Sequence, residues 1–225
     1  ELSAHFLSNP SGKISSRKAG EVMGVTNLLS VKKVINAFEN SFLFFLLPKY
    51  DFSIKKQIQN PKKLYCIDNG FLTALGFRFS DNDGKLLENL VAIELKRRSK
   101  DTYYSSDTKE CDFAIKEGNK ITQAIQVTWE LNPENREREL SGLAEAMDKF
   151  GLKKGLIITS DQEETIKQGG KTMQVKPAWK WLFENNGSQK EETMDEKVEK
   201  FRRQIRKQSG ADKSHYKAIK DPLYP

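Results

Sequence analysis

Glu110-Cys111-Asp112-Phe113-Ala114-Ile115-Lys116-Glu117-Gly118-Asn119-Lys120-Ile121-Thr122-Gln123-Ala124-Ile125-Gln126-Val127-Thr128 is the stretch that decides the fold. Two β-rich runs, Cys111 to Lys116 and Ile121 to Glu130, flank Gly118-Asn119, a pair suited to a tight hairpin turn. Period-two alternation places Gln126 and Thr128 on one face of the second strand. Upstream, Thr102 to Ser105 adds a third strand candidate. Lys85 to Arg98 reads as a helix: Leu86, Leu87, Leu90, Val91, Ile93 and Leu95 are apolar, and Lys96-Arg97-Arg98 suits its C-terminal dipole. Downstream, Pro133 opens a helix to Phe150. Leu156-Ile157-Ile158 reads as a strand buried on both faces. Met173 to Val175 precedes a helix carrying Trp179, Trp181, Leu182 and Phe183, with Trp179 and Trp181 read as core and rim rather than as a base-stacking platform. Helix, three strands, helix and strand predict an α/β domain on a small mixed sheet over residues 64–185.

Residues 1–63 read differently. Leu2 to Leu7 is a short helical stretch, and Asn9-Pro10-Ser11-Gly12 is a turn. Ser15 or Ser16 caps a helix that runs through Met23 and stops at Gly24. Ser30 caps the next, where Val31, Val34, Ile35 and Phe38 recur at helical spacing. Two β-rich runs follow, Phe42 to Leu47 and Leu64 to Ile67, joined by a polar stretch with Lys55, Lys56, Lys62 and Lys63. Helix, turn, helix and hairpin with a basic loop is the order of a winged helix-turn-helix. Asp68-Asn69-Gly70 then opens a short helix to Leu75.

The third segment, 186–225, starts with a polar linker. Thr193 and Glu196 form a capping box. Met194, Val198, Phe201 and Ile205 make a stripe that a lone helix has nowhere to bury, so packing on a partner or another copy of the chain is expected.

Charge separates the segments. The first 63 residues hold ten Lys/Arg against four Asp/Glu. Residues 64–185 hold eighteen against twenty, and the tail ten against seven, within a total of +7 for 225 residues. A localised cationic surface suits a polyanion. Arg17, Lys18, Lys32, Lys33, Lys55 and Lys56 are the candidate DNA contacts, although such lysines are also ordinary solvated faces. With no aromatic residues interleaved, duplex backbone is favoured over single strands.

Composition narrows the chemistry. Two cysteines, Cys66 and Cys111, and two histidines, His5 and His215, make neither a disulfide framework nor a zinc cluster nor a histidine triad. Both thiols read as reduced strand residues of a cytoplasmic protein. The longest apolar run, Phe42 to Leu47, is far short of a membrane span, and no signal peptide opens the chain. The missing initiator Met points to residues preceding Glu1. No phosphate-binding loop is present: Gly84-Lys85 and Gly169-Gly170-Lys171 lack the required neighbours. The remaining constellation is carboxylate-based. Glu88 on the helix and Asp112 on a strand, with Gln126 across the hairpin, suit Mg²⁺ ligation, unless both acids merely cap, pair or hydrogen-bond.

Here the residues reach a family. From Leu64 to Trp181 the chain resembles the uncharacterised C-terminal domain of archaeal and bacterial AAA-type ATPases, which looks like a PD-(D/E)XK (restriction-endonuclease-like) fold. The resemblance is carried by Tyr65-x-Ile67-Asp68-x-Gly70, Gly84-Lys85-x-x-Glu88-Asn89-x-Val91, Glu110-x-Asp112-Phe113, Ile125-Gln126-Val127, Arg138-Glu139-x-x-Gly142-Leu143 and Trp179-x-Trp181-Leu182. It implies a winged helix directly before this domain and, before that, an ATP-binding core absent from this chain. It implies a site of Glu88, Asp112, Gln126 and Thr128, with Glu88, Asp112 and Gln126 holding any metal. The wider superfamily has Glu-x-Lys where this chain has Gln126-Val127-Thr128, and Thr128 supplies no positive charge. Lys96 and Lys109 are candidates to replace it. The expected function is therefore a DNA-associating, regulatory module without activity of its own. A Mg²⁺-dependent nuclease and a protein-interaction domain are the alternatives.

Overall fold

Polar caps and apolar stripes set the first segment, as the computed structural model, which describes residues 2–75 and 83–184, shows. After α1 (Leu2–Ser8) and a two-residue strand β1 (Lys13–Ile14), Ser15 caps α2 (Ser16–Met23), accepting from the Lys18 amide. Gly24 ends α2 in the left-handed region at φ 65°, which a Cβ would strain. The cap of α3 (Leu28–Asn40) is Asn27 and not Ser30: its side chain accepts from the amides of Leu29 and Ser30, so Ser30 lies within the first turn. Val31 and Ile35 are buried there, while Lys32 and Lys33 are exposed. The strands β2 (Phe44–Leu47) and β3 (Lys62–Cys66) are antiparallel, and β1 pairs with the other edge of β3. The connection between β2 and β3, expected to be a basic loop, contains a six-residue helix, α4 (Ile54–Gln59).

The second sheet follows α5 (Asn69–Leu75) and α6 (Asp83–Arg97). Its strands are β4 (Asp101–Ser106), β5 (Glu110–Glu117), β6 (Lys120–Val127), β7 (Lys154–Thr159), β8 (Glu164–Gln168) and β9 (Lys171–Pro177), with α7 (Arg136–Phe150) after β6 and α8 (Ala178–Glu184) after β9. The spatial order is β4-β5-β6-β7-β9-β8, antiparallel except where β7 lies parallel to both β6 and β9. This is the expected mixed α/β sheet, with β8 as an additional, largely exposed edge strand. β6 ends at Val127 rather than Glu130, because the Trp129 carbonyl turns to accept from the Ser160 amide. α7 begins at Arg136 rather than Pro133. The Asn132 side chain accepts from the amides of Glu134 and Asn135, holding that stretch in a turn.

Alternation divides the core. Phe113, Ile115, Ile125, Val127 and Ile158 pack with Leu87, Val91 and Leu95 of α6 and with Trp181 of α8. Cys111, Ala124, Ile157, Met173 and Val175 pack with Leu143, Ala146 and Met147 of α7 on the opposite face. A third cluster joins α1, α2 and α3 to Phe44, Leu64 and Cys66. Both cysteines are free and buried. The expected boundary at residues 63 and 64 falls inside β3, whose Leu64 and Cys66 face the first segment's core while Tyr65 faces that of α6. Buried Asn89 binds the two elements, with Oδ1 accepting from the Cys66 amide at 2.8 Å and Nδ2 donating to the Cys66 carbonyl at 3.0 Å.

The described residues up to Phe183 belong to one compact unit. The Thr193–Glu196 capping box and the Met194, Val198, Phe201, Ile205 stripe lie outside the described residues. Among those described, no helix is long and apolar enough to cross a membrane.

Candidate functional site

A bulge builds the site. Tyr103 pairs with Ala114 and Ser105 with Cys111, so β5 carries one residue more than β4 over this interval. The extra residue lies at Asp112–Phe113. It lets Asp112 turn to the α6 side although Phe113, next in sequence, also packs there. The Asp112 carboxylate then spans two elements. Oδ2 accepts from the Val127 amide at 2.9 Å, where the β5–β6 ladder has ended, and Oδ1 accepts from Lys63 Nζ at 2.8 Å.

Lys63 is the centre of the arrangement. It comes from β3 of the first segment and is only 2% exposed. Its ammonium lies 2.9 Å from Glu88 Oε1, 2.8 Å from Glu110 Oε1 and 2.8 Å from Asp112 Oδ1. Tyr65, two residues on and therefore on the same side of β3, donates its hydroxyl to Glu88 Oε1 at 2.7 Å. Lys13 of β1 pairs with Glu110 from outside.

Three carboxyl groups about one ammonium leave a local excess of negative charge, which Glu88 feels most. Burial pushes the Glu88 carboxyl up and Asp112 pushes it further, while Lys63 and Tyr65 pull it back only to about 7. For Glu110, burial acts upward, but Lys63 and Lys13 outweigh it and hold the carboxyl below its usual range. Burial opposes the charge on Lys63, yet Asp112, Tyr65, Glu88 and Glu110 together hold its pKa well above the ordinary lysine value. Burial and then Glu88 raise the Tyr65 hydroxyl, so it remains a donor.

Gln126 does not join this cluster. Ile125 and Val127 face α6, so alternation sends Gln126 to the α7 side. There its Nε2 donates to Glu139 Oε2 at 2.7 Å, and its Oε1 accepts from the Asp112 amide at 3.3 Å. Glu139 also accepts from Arg138. Thr128 lies on the same side, its hydroxyl donating to the Glu130 carbonyl at 3.1 Å and accepting from Asn135 Nδ2 at 3.3 Å. Glu88 and Asp112 thus meet at the Lys63 ammonium, whereas Gln126 is turned away from them. Neither expected substitute lysine takes the empty role at Thr128. Lys96 Nζ sits 5.0 Å from the Phe45 ring centre, and Lys109 is exposed.

The donor set of Glu88, Asp112 and Gln126 does not fit Mg²⁺ in this arrangement. Two of its members are engaged by an ammonium, and the amide oxygen of the third by a backbone N–H. Among the described residues no three His, Cys, Asp or Glu side chains are grouped so as to hold a metal ion. A cleft of about 350 Å³ opens beside Glu88 at the end of β6, with Lys85, Thr128, Trp129, Arg138 and Glu139 in its lining. Its carboxyl groups Glu88, Glu130 and Glu139 outnumber its cations Lys85 and Arg138, which disfavours a bare phosphate there.

Lys63, Glu110, Tyr65 and Glu139 were not among the expected site residues. The signal for Lys63 lay in β3 itself: Lys63 and Tyr65 alternate with Leu64 and Cys66, which places a lysine on an inward face. The six expected DNA contacts, Arg17, Lys18, Lys32, Lys33, Lys55 and Lys56, are all exposed, on α2, α3 and α4.

Two curated proteins resemble the chain. One, an uncharacterised protein of Methanocaldococcus jannaschii, is 36% identical over 158 residues, covering 64% of this chain and 34% of that protein. The other, an uncharacterised protein of Haemophilus influenzae, is 33% identical over 160 residues, covering 71% of this chain and 38% of its own length. The chain therefore spans little more than a third of these relatives. No family model and no solved structure matches.

Proposed function

We propose that this chain is the DNA-associating, regulatory C-terminal part of a longer AAA-type ATPase. In this reading it joins a winged helix-turn-helix to a PD-(D/E)XK-like sheet whose carboxylate site is closed. The observation that carries it is the buried Lys63 ammonium between Glu88, Glu110 and Asp112. A cation already fixed there at 2% exposure meets no phosphate and occupies the position between the carboxylates that a metal would take. The order α1-β1-α2-α3-β2-α4-β3, with β3 between β1 and β2 in the sheet, supports the winged-helix part. The helix α6, the antiparallel β4-β5-β6 and the α7 crossover to β7 support the nuclease-like part. The length of the relatives beyond the matched region leaves room for an ATPase core that binds ATP.

One feature favours the Mg²⁺-dependent nuclease instead: Lys63 restores near Glu88 and Asp112 the positive charge that Thr128 lacks. A single set of assays separates the readings. Binding of a labelled duplex is followed across salt, and cleavage of linear, nicked and branched DNA is followed with Mg²⁺ or Mn²⁺. We expect binding without cleavage. Alanine at Lys32, Lys33, Lys55 and Lys56 should reduce the log–log salt slope by roughly 0.9 per lost phosphate contact. Cleavage that disappears in Asp112→Ala makes the chain a nuclease, and unchanged binding by the fourfold variant at low salt removes the DNA surface.

A further inference from the structure

We infer that α4 is an apolar wedge that enters the minor groove of bound duplex DNA and kinks it; the inference rests on the DNA-associating reading and deepens it. α4 interrupts the connection between β2 and β3, and none of its residues is buried. Ile54 and Ile58 are 74% and 71% exposed. Four residues apart, they share one helical face. Phe52, just before the helix, is 80% exposed and touches Tyr50 edge-on. Large aliphatic side chains held in water over a whole helix face call for a partner.

The helix is kept in shape without packing. Ser53 Oγ accepts from the Lys56 amide, Gln57 Nε2 donates to the Asp51 carbonyl at 2.6 Å, and the Asp51 side chain accepts from the Ser53 amide at 2.9 Å. Its apolar face is therefore presented in a fixed form before any partner arrives.

Charge identifies that partner. No acidic residue occurs between Asp51 and Asp68, and Lys55 and Lys56 stand between the two isoleucines in sequence. Ile58 also borders a groove of about 240 Å³ shared with Lys32 and Asn36 of α3 and with Lys62; Glu39 is its one acid. Cations flanking isolated Ile and Phe side chains are the chemistry of minor-groove proteins that partly unstack a base step while lysines hold the adjacent phosphates. Flexible pyrimidine–purine steps such as TA cost least to kink and are the expected target.

The test compares the full chain with its Ile54→Ala/Ile58→Ala variant on a duplex with a central TA step. The duplex carries end-to-end energy-transfer dyes and, in a second preparation, 2-aminopurine at the step. The unmodified chain should shorten the end-to-end distance and brighten the 2-aminopurine. The variant should bind on the order of tenfold more weakly, the scale of one lost base-step contact, with an unchanged salt slope and no bend. Both replacements are at exposed positions, and far-ultraviolet circular dichroism checks the fold. A bend that survives in the variant, or a duplex bound straight by the unmodified chain, overturns the wedge while leaving DNA association standing. Absence of duplex binding by the unmodified chain overturns the DNA reading itself. Loss of self-association in the variant, with its DNA binding unaltered, makes this face a protein interface and overturns the wedge.

Discussion

Glu88→Gln should stabilise the protein at pH 8 and leave it nearly unchanged at pH 5. The Glu88 carboxyl has a folded-state pKa raised from 4.5 to about 7, by burial first and by Asp112 second. A carboxyl raised on folding keeps its proton in the native state after the unfolded chain has lost its own. Stability therefore falls as pH rises between those two values, by about 1.4 kcal/mol per pH unit for one proton. Across the window from 4.5 to about 7 the fall is on the order of 3 kcal/mol. The other shifted members of the cluster do not titrate in that window. Glu110 is depressed, so its contribution is already complete above the usual carboxylate range. Lys63 is raised, so its contribution persists until the pH passes its unfolded value, far above 7. Glutamine keeps an oxygen to accept from Tyr65 and Lys63 and removes only the charge. The assay is urea unfolding of both proteins at pH 5, 6, 7 and 8, with the m-value as a control for the extent of unfolding. Parallel stability curves for the two proteins, or a variant less stable at pH 8, would refute the reasoning, because either result means that Glu88 is not held against its charge.

Lys63→Met removes the ammonium and leaves three carboxyl groups facing one another, so it should cost about 3–5 kcal/mol at neutral pH; Glu88→Gln added to it, measured by the same urea unfolding, should restore part of that loss. Gly142→Ala should cost about 1–3 kcal/mol, because a Cβ on α7 would stand 2.2 Å from the Glu110 carbonyl oxygen. Thermal unfolding checks this, and an unchanged midpoint would show that α7 does not depend on that close approach.

The sheet was largely legible because its signals are local. Gly118-Asn119 turns β5 into β6, the apolar run Leu156 to Ile158 marks the strand covered on both faces, and the α6 stripe is long and regular. Elements with weak local signals were not. β1 is two residues long and exists through its pairing with β3, β8 is polar and pairs only with β9, and α4 buries nothing that would imprint a period. The site was half legible for a related reason. Glu88 and Asp112 were identifiable as residue types in a pattern, but the face of Gln126 follows from the inward Ile125 and Val127 on either side of it. That same alternation was available in the sequence.

Lys63 had only the alternation of β3 to mark its face and nothing nearby to mark its partners, and it ties the two halves together. A lysine beside Lys62 in a basic connection reads as solvent-facing, since burying an ammonium is costly unless it is paired. Its partners are 25, 47 and 49 residues further along the chain, on α6 and β5, so no short window contains the compensation. Once they are assembled, the consequence is mechanical as well as electrostatic. Lys63 and Tyr65 reach from β3 into the acidic cluster, Asn89 reaches back from α6 to Cys66, and Tyr104 of β4 donates to the Pro61 carbonyl just before β3. One strand is thereby fixed from both sides. The first segment and the six-stranded sheet are therefore joined through β3 itself. A rigid charged joint of Lys63 with Glu88, Glu110 and Asp112 thus stands where the sequence pattern alone suggests an open carboxylate site.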